Sequence, residues 1–116
     1  MVRDRGQLER DVLRVLWDAS EPLTAKQIQA TFDTEQPAIT TLLTVLDRLG
    51  HKGLVTRNAE GAAHTFAPAQ SESTLAVGAM LRSLDVTDRQ AVLLQFAGDL
   101  DERDADVLRR ALNRRR

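Results

Sequence analysis

The chain has 116 residues, 42% of them apolar and 28% charged, enough for one ordinary globular domain or a small domain plus an oligomerisation segment, and not the composition of a disordered chain. Its 16 Lys and Arg against 17 Asp and Glu leave almost no net charge, and neither the stretch up to Ala69 nor the stretch after it is basic, so a nucleic-acid partner has to be argued from local placement. The lack of cysteine excludes disulfides, thiolate metal sites and a cysteine nucleophile and fits a cytoplasmic location; with no run of ~18 apolar residues and no apolar signal region after Met1-Val2-Arg3-Asp4-Arg5, neither secretion nor membrane insertion is expected.

In chain order, Leu8, Val12, Val15, Leu16 and Ala19 recur at helical spacing, Leu13 and Trp17 widen the stripe, and Pro22 marks its stop. The first element is therefore a core-facing helix, in which Trp17 suits a packing anchor better than a stacking platform. Thr24-Ala25-Lys26-Gln27 has the form of a capping box. It opens a short second helix whose inward residues are Ala25, Ile28 and Phe32, closed by Asp33-Thr34-Glu35-Gln36-Pro37. Lys26 lies in its first turn, where a helix N-terminus approaches phosphate, although an isolated lysine is usually just solvated.

The stretch Ile39 to Lys52 is the third helix and the most informative. At ~100° per residue, Thr40, Thr41, Thr44, Asp47, Arg48, His51 and Lys52 share a sector roughly 140° wide, while Leu42, Val45, Leu46 and Leu49 point the other way. Threonine weakens a helix by up to ~0.7 kcal/mol, so three on one solvated face ask for a reason. Short hydroxyl side chains allow close approach to base edges, and Arg48 and Lys52, one to two turns later, reach toward a DNA backbone. This is the composition of a recognition helix, and an ordinary amphipathic helix with a solvated face is the alternative. Asp47 would repel phosphate, so it is expected to pair with Arg48 or His51 or to accept from a cytosine amino group.

Leu54-Val55-Thr56-Arg57 and Ala63-His64-Thr65-Phe66-Ala67 read as two short strands joined by the turn Asn58-Ala59-Glu60-Gly61. Three helices and a hairpin make a mainly α fold, a winged helix-turn-helix over residues 1–69, with its third helix in the major groove and its β-hairpin wing along the backbone. Residues 70–116 are helical again. One stripe carries Leu75, Ala76, Ala79, Met80 and Leu84. A capping box at Thr87-Asp88-Arg89-Gln90 opens a helix with Ala91, Val92, Leu94 and Phe96, and Asp101 with Asp104 opens a last one with Val107, Leu108, Ala111 and Leu112. The terminal Arg114-Arg115-Arg116 suits the negative end of a helix dipole and a solvated helix end, with DNA contact as the alternative. About 45 residues in three short helices rarely bury enough surface alone, so a homodimer through Leu75, Ala79, Met80, Leu84, Val92, Phe96, Val107, Leu108, Ala111 and Leu112 is expected; packing back onto the winged domain is the other solution.

Catalysis finds no support. His51 and His64 are the two histidines, no His-Glu-x-x-His spacing or glycine-rich phosphate loop occurs, and Asp101 with Asp104 is better explained by helix capping than by acid–base chemistry. No enzyme, metal or cofactor is expected.

QLERDVLRVLW at 7–17, TAKQI at 24–28, AITTLLTVLDRLGHKGLV at 38–55 and the pattern Ala63-His64-x-Phe66-x-Pro68 together resemble the penicillinase-repressor (BlaI/MecI) family of winged-helix regulators. The resemblance is strong over residues 6–69 and looser beyond. It implies a dimeric repressor of β-lactamase or related cell-wall stress genes, bound to a palindromic double-stranded operator and often relieved by proteolysis through a membrane sensor peptidase. On the family pattern, operator contacts carry over to Thr40, Thr41, Thr44 and Arg48, and backbone contacts to Lys52, Arg57 and His64. Leu43 stands where some members have arginine, and Ala62 and Thr65 replace wing residues that are frequently basic. The scissile Asn-Phe pair of some members aligns with Gln95-Phe96, which puts the proteolytic switch in question, and the absence of cysteine excludes the copper-responsive branch. Two other readings stay open: a protein-interaction adaptor using the winged fold without DNA, suggested by the near-zero charge, and a ligand-sensing regulator, for which no polar cluster marks a pocket.

Overall fold

The computed structural model describes residues 4–115; Met1, Val2 and Arg3 of the charged start and Arg116 of the terminal arginines lie outside the described residues. In chain order the elements are α1 (Arg5–Asp18), α2 (Ala25–Ala30), α3 (Ile39–His51), β1 (Val55–Asn58), β2 (Thr65–Pro68), α4 (Glu72–Arg82), α5 (Arg89–Asp99) and α6 (Glu102–Arg114). This is the mainly helical fold with one small antiparallel sheet that the sequence pattern predicts. The chain divides into two compact units, one running to Leu75 and the other starting at Ala76.

The first unit has a single core. Leu8, Val12, Leu13 and Leu16 of α1 meet Ala25, Ile28 and Phe32 from α2 and its exit, Leu42, Val45, Leu46 and Leu49 of α3, and Val55 and Phe66 of the hairpin. Each fully buried leucine or phenylalanine contributes about 2 kcal/mol by leaving water. In α1, Leu13 is buried and Val15 only partly so, the reverse of the expected ranking. The helix ends at Asp18, with Ala19 an extended C-cap before Pro22 is reached. Trp17 packs against the core and donates Nε1–H to the Gln70 carbonyl at 3.1 Å, as an anchor does.

The capping box at Thr24 is complete: its Oγ1 accepts from the Gln27 amide at 3.1 Å, and Gln27 Oε1 accepts from the Thr24 amide at 2.8 Å. Thr24→Ala leaves one amide without a partner, and urea unfolding is expected to show a loss of about 1 kcal/mol that Thr24→Ser restores. The exit of α3 is a Schellman turn. Gly53, at φ +76, donates to Gly50 O at 3.0 Å and Leu54 donates to Leu49 O at 2.9 Å, a conformation that any residue with a Cβ resists.

That turn shifts the hairpin. Leu54 finishes the helix instead of starting the strand, so β1 begins at Val55, and β2 runs from Thr65 to Pro68 rather than from Ala63. The register pairs Val55 with Pro68, Arg57 with Phe66 and Asn58 with Thr65. One further rung lies outside the sequence reading: Leu23 and Phe66 exchange both backbone hydrogen bonds, at 3.0 and 2.7 Å, tying the α1–α2 connection to the wing.

At the start of α4, Glu72 forms a two-pronged pair with the Arg14 guanidinium, whose Nη1 lies 2.9 Å from Oε1. Arg14 also sits over the Trp17 ring, 5.4 Å from its centroid. The hydrogen bonds and charge of Arg14 hold the Glu72 carboxyl below its ordinary range, and the carboxylate in turn raises Arg14. The pair is intact at neutral pH and is lost as pH falls through the depressed Glu72 value.

In the second unit, Asp88 rather than Thr87 caps α5, accepting from the Ala91 amide at 3.0 Å. The expected box is therefore out by one residue; an aspartate beside a threonine offers the same cap one position later. Asp101 caps α6 through the Asp104 amide at 2.8 Å, as expected. Leu84 follows the end of α4 instead of continuing its helical stripe.

Candidate DNA-binding surface

Helix α3 divides as its sequence dictates. Leu42, Val45, Leu46 and Leu49 are buried; Thr40, Thr41, Thr44, Asp47, His51 and the C-cap Lys52 are exposed, and Arg48 is half-buried. Ala38 opens the helix without a side-chain cap. The Thr44 hydroxyl donates to the Thr40 carbonyl one turn back at 3.0 Å. Leu43, 36% exposed, contributes to neither the core nor the polar face.

The polar side chains sort into two groups. Thr41, Thr44 and Arg48 border a shallow groove shared with Asp4 and Leu8 at the start of α1. Asp47, His51 and Arg57 border another, floored by Val55 and Phe66. In the second, His51 Nδ1 lies 2.8 Å from the Asp47 carbonyl and 3.8 Å from its carboxylate, so of the two protein partners expected for Asp47 the geometry selects His51. Arg57 stands over the Phe66 ring at 5.1 Å, across the strand pair, which holds this wing cation beside α3. Lys26 is exposed in the first turn of α2 and His64 is exposed just before β2, outside both groups.

One residue the sequence reading passed over joins the surface. Glu9 of α1 accepts from Lys52 Nζ at 2.8 Å through Oε2, and its Oε1 lies 3.9 Å from Arg48 Nη1. The signal was present in the sequence: on a helical projection Glu9 falls inside the sector, about 140° wide, that Leu8, Val12, Leu13 and Leu16 define as the buried stripe.

Of the other expected residues, Gln95 and Phe96 lie in α5 and are exposed. Within the second unit, Met80, Leu81, Leu84, Val92, Leu93 and Phe96 line one apolar groove of about 410 Å³. Val107, Leu108 and Leu112 are exposed on α6, Ala79 is exposed on α4, and Leu75 and Ala111 are half-buried. Among the described residues no cluster of His, Asp or Glu is placed to hold a metal ion, and no helix is long and apolar enough to cross a membrane.

Three helices, the third with an exposed polar face, followed by an antiparallel hairpin beside that helix, constitute a winged helix-turn-helix domain. The sequence profile of the penicillinase repressor matches residues 5–114, and the chain belongs to the penicillinase-repressor family. It is 38% identical over 112 residues to two proteins described as transcriptional regulator BlaI, from the CDC 1551 / Oshkosh and the ATCC 25618 / H37Rv strains of Mycobacterium tuberculosis. In each case the match spans 92% of this chain and 81% of the relative. Among solved structures, one described as the DNA recognition and protein interaction domains of HOP2 matches 52% of this chain and 95% of its own at 16% identity and a TM-score of 0.46, too distant to bear on fold or function.

Proposed function

We propose that this protein is a dimeric transcriptional repressor that binds a palindromic operator through α3 and controls β-lactamase or related cell-wall stress genes. The observation that carries the reading is the exposed face of Thr40, Thr41, Thr44 and Arg48 on the third helix of a winged domain in a family of transcriptional regulators. Those four side chains touch the operator. Lys52, Arg57 and His64, with Lys26 at the α2 N-terminus, meet the sugar-phosphate backbone.

Dimerisation is supported by the second unit. None of the residues of α4, α5 or α6 is buried, and Met80, Leu81, Leu94, Val107 and Leu112 are each more than half exposed. Apolar surface on this scale marks an interface, and a second copy placed on a two-fold axis covers it while presenting two α3 helices to two half-sites. Induction through a membrane sensor peptidase would cut at Gln95-Phe96. That bond lies within α5, so the helix has to open locally before a protease can take it as an extended chain.

The test is to sequence the fragments that the purified protein retains from its own genome and to titrate the enriched duplex against salt. Retained fragments are expected to share a palindrome, with affinity falling linearly in log–log form as salt rises over about 50 to 200 mM. Recovery of a stoichiometric protein partner with no enriched DNA would replace this reading with that of an interaction adaptor.

A further inference from the structure

Resting on the DNA-binding reading, we propose that Glu9 is a positioning residue that holds down sequence-independent DNA affinity by offsetting part of the charge of Arg48 and Lys52, so that the preference for operator over other DNA depends on this one carboxylate. Glu9 belongs to α1, yet its side chain is only 13% exposed and lies within the stripe that faces the core. A carboxylate there loses hydration, a cost offset only by well-made partners. Those partners are cations of the recognition helix and its cap. Oε2 takes the Lys52 ammonium at 2.8 Å, while Oε1 is buried without a hydrogen-bond partner and has Arg48 Nη1 at 3.9 Å.

An apolar residue at this position of the stripe would pack without leaving a buried oxygen unpaired, so what the carboxylate adds is electrostatic. It places one negative charge against two positive ones at the end of α3 where phosphate would arrive. A cation already paired at 2.8 Å gathers and releases less of the counterion atmosphere that drives non-specific binding. Arg48, held at longer range and without a hydrogen bond, stays available for a directed contact. Asp47 on the same helix adds a further negative charge to this surface, with His51 Nδ1 3.8 Å from its carboxylate. The end of α3 thus carries less net positive charge than its own cations would give it, consistent with a surface that selects by contact rather than by charge.

Fluorescence anisotropy with a random-sequence duplex and with the enriched duplex, at several salt concentrations, tests this on the full chain. Glu9→Gln keeps the shape and removes the charge. It is expected to tighten binding to the random duplex several-fold, to steepen its log–log salt slope by about 1 unit, and to narrow the gap between the two duplexes. Glu9→Gln with Lys52→Gln should return the slope close to that of the unaltered protein. Glu9→Ala, which removes the charge without adding an amide to satisfy, should steepen the slope of the random duplex as Glu9→Gln does. An unchanged or shallower slope in folded Glu9→Gln overturns the proposal. So does an unchanged or shallower slope in folded Glu9→Ala, which reads out even if Glu9→Gln fails to fold. Absence of any DNA binding by the unaltered protein would instead sink the DNA-binding reading itself, which keeps the two failures distinct.

Discussion

Arg48→Ala is expected to weaken operator binding by about 1–3 kcal/mol per half-site, and therefore by roughly 30-fold to ten-thousandfold for a dimer that uses the residue twice. The residue is half-buried, borders the groove shared by Thr41, Thr44 and the start of α1, and makes no hydrogen-bonded pair with Glu9, so its guanidinium is oriented but not consumed. Gel shift on the enriched duplex and on a scrambled one separates the roles. A loss confined to the enriched duplex identifies Arg48 as a reader of base edges. An equal loss on both reassigns it to the backbone, and no loss removes α3 from the interface. Arg48→Lys refines the result: it keeps the charge and discards the planar fork, so it should retain the salt slope while losing discrimination. Thr41→Ala, which deletes a neutral contact, should cost less than Arg48→Ala in the same assay.

The second large effect is expected at Phe96. This side chain is 41% exposed in the single chain and lines the apolar groove with Met80, Leu81 and Leu93. Phe96→Glu removes apolar area and brings a carboxylate into the proposed interface, at about 2 kcal/mol or more in each copy. Two-fold symmetry applies the cost twice, so the dimer dissociation constant should rise by about a thousandfold. Sedimentation equilibrium at micromolar concentration should show a dimer for the unaltered chain and a monomer for the variant, and operator affinity should fall with it because two linked half-sites become one. A monomeric unaltered chain, or a variant that remains dimeric, would remove this groove from the dimer interface.

The winged unit was largely legible because its elements differ in kind. The buried set Leu42, Val45, Leu46 and Leu49 follows one helical face, and threonines on the opposite face are costly enough to stand out. The capping residues Thr24 and Asp101 carry their own local chemistry. What escaped depended on contacts distant in sequence. Glu9 and Lys52 are 43 positions apart, and nothing local to either shows that they meet. Leu23 joins the sheet as a single residue between Pro22 and Thr24, too short for any alternating pattern. In α5 the consecutive run Ala91-Val92-Leu93-Leu94 wraps around the helix, so periodicity names no single face, and Leu93 went unremarked although it lines the groove. The first wing strand starts one residue later than the pattern predicts because the turn at Gly53 consumes Leu54, a matter of backbone closure that hydrophobic pattern does not encode.

The hydrogen bond from Thr44 to the Thr40 carbonyl sets a grammar for what this helix can read. With its proton directed into its own helix, Thr44 offers an outside partner only oxygen lone pairs and a methyl group. In the major groove those match the amino hydrogens of adenine or cytosine and the methyl of thymine, and they find nothing to bond at the guanine O6 and N7 acceptors. On the docking proposed for α3, the base facing Thr44 is thus chosen as much by the bond the threonine makes inward as by anything it touches on the DNA.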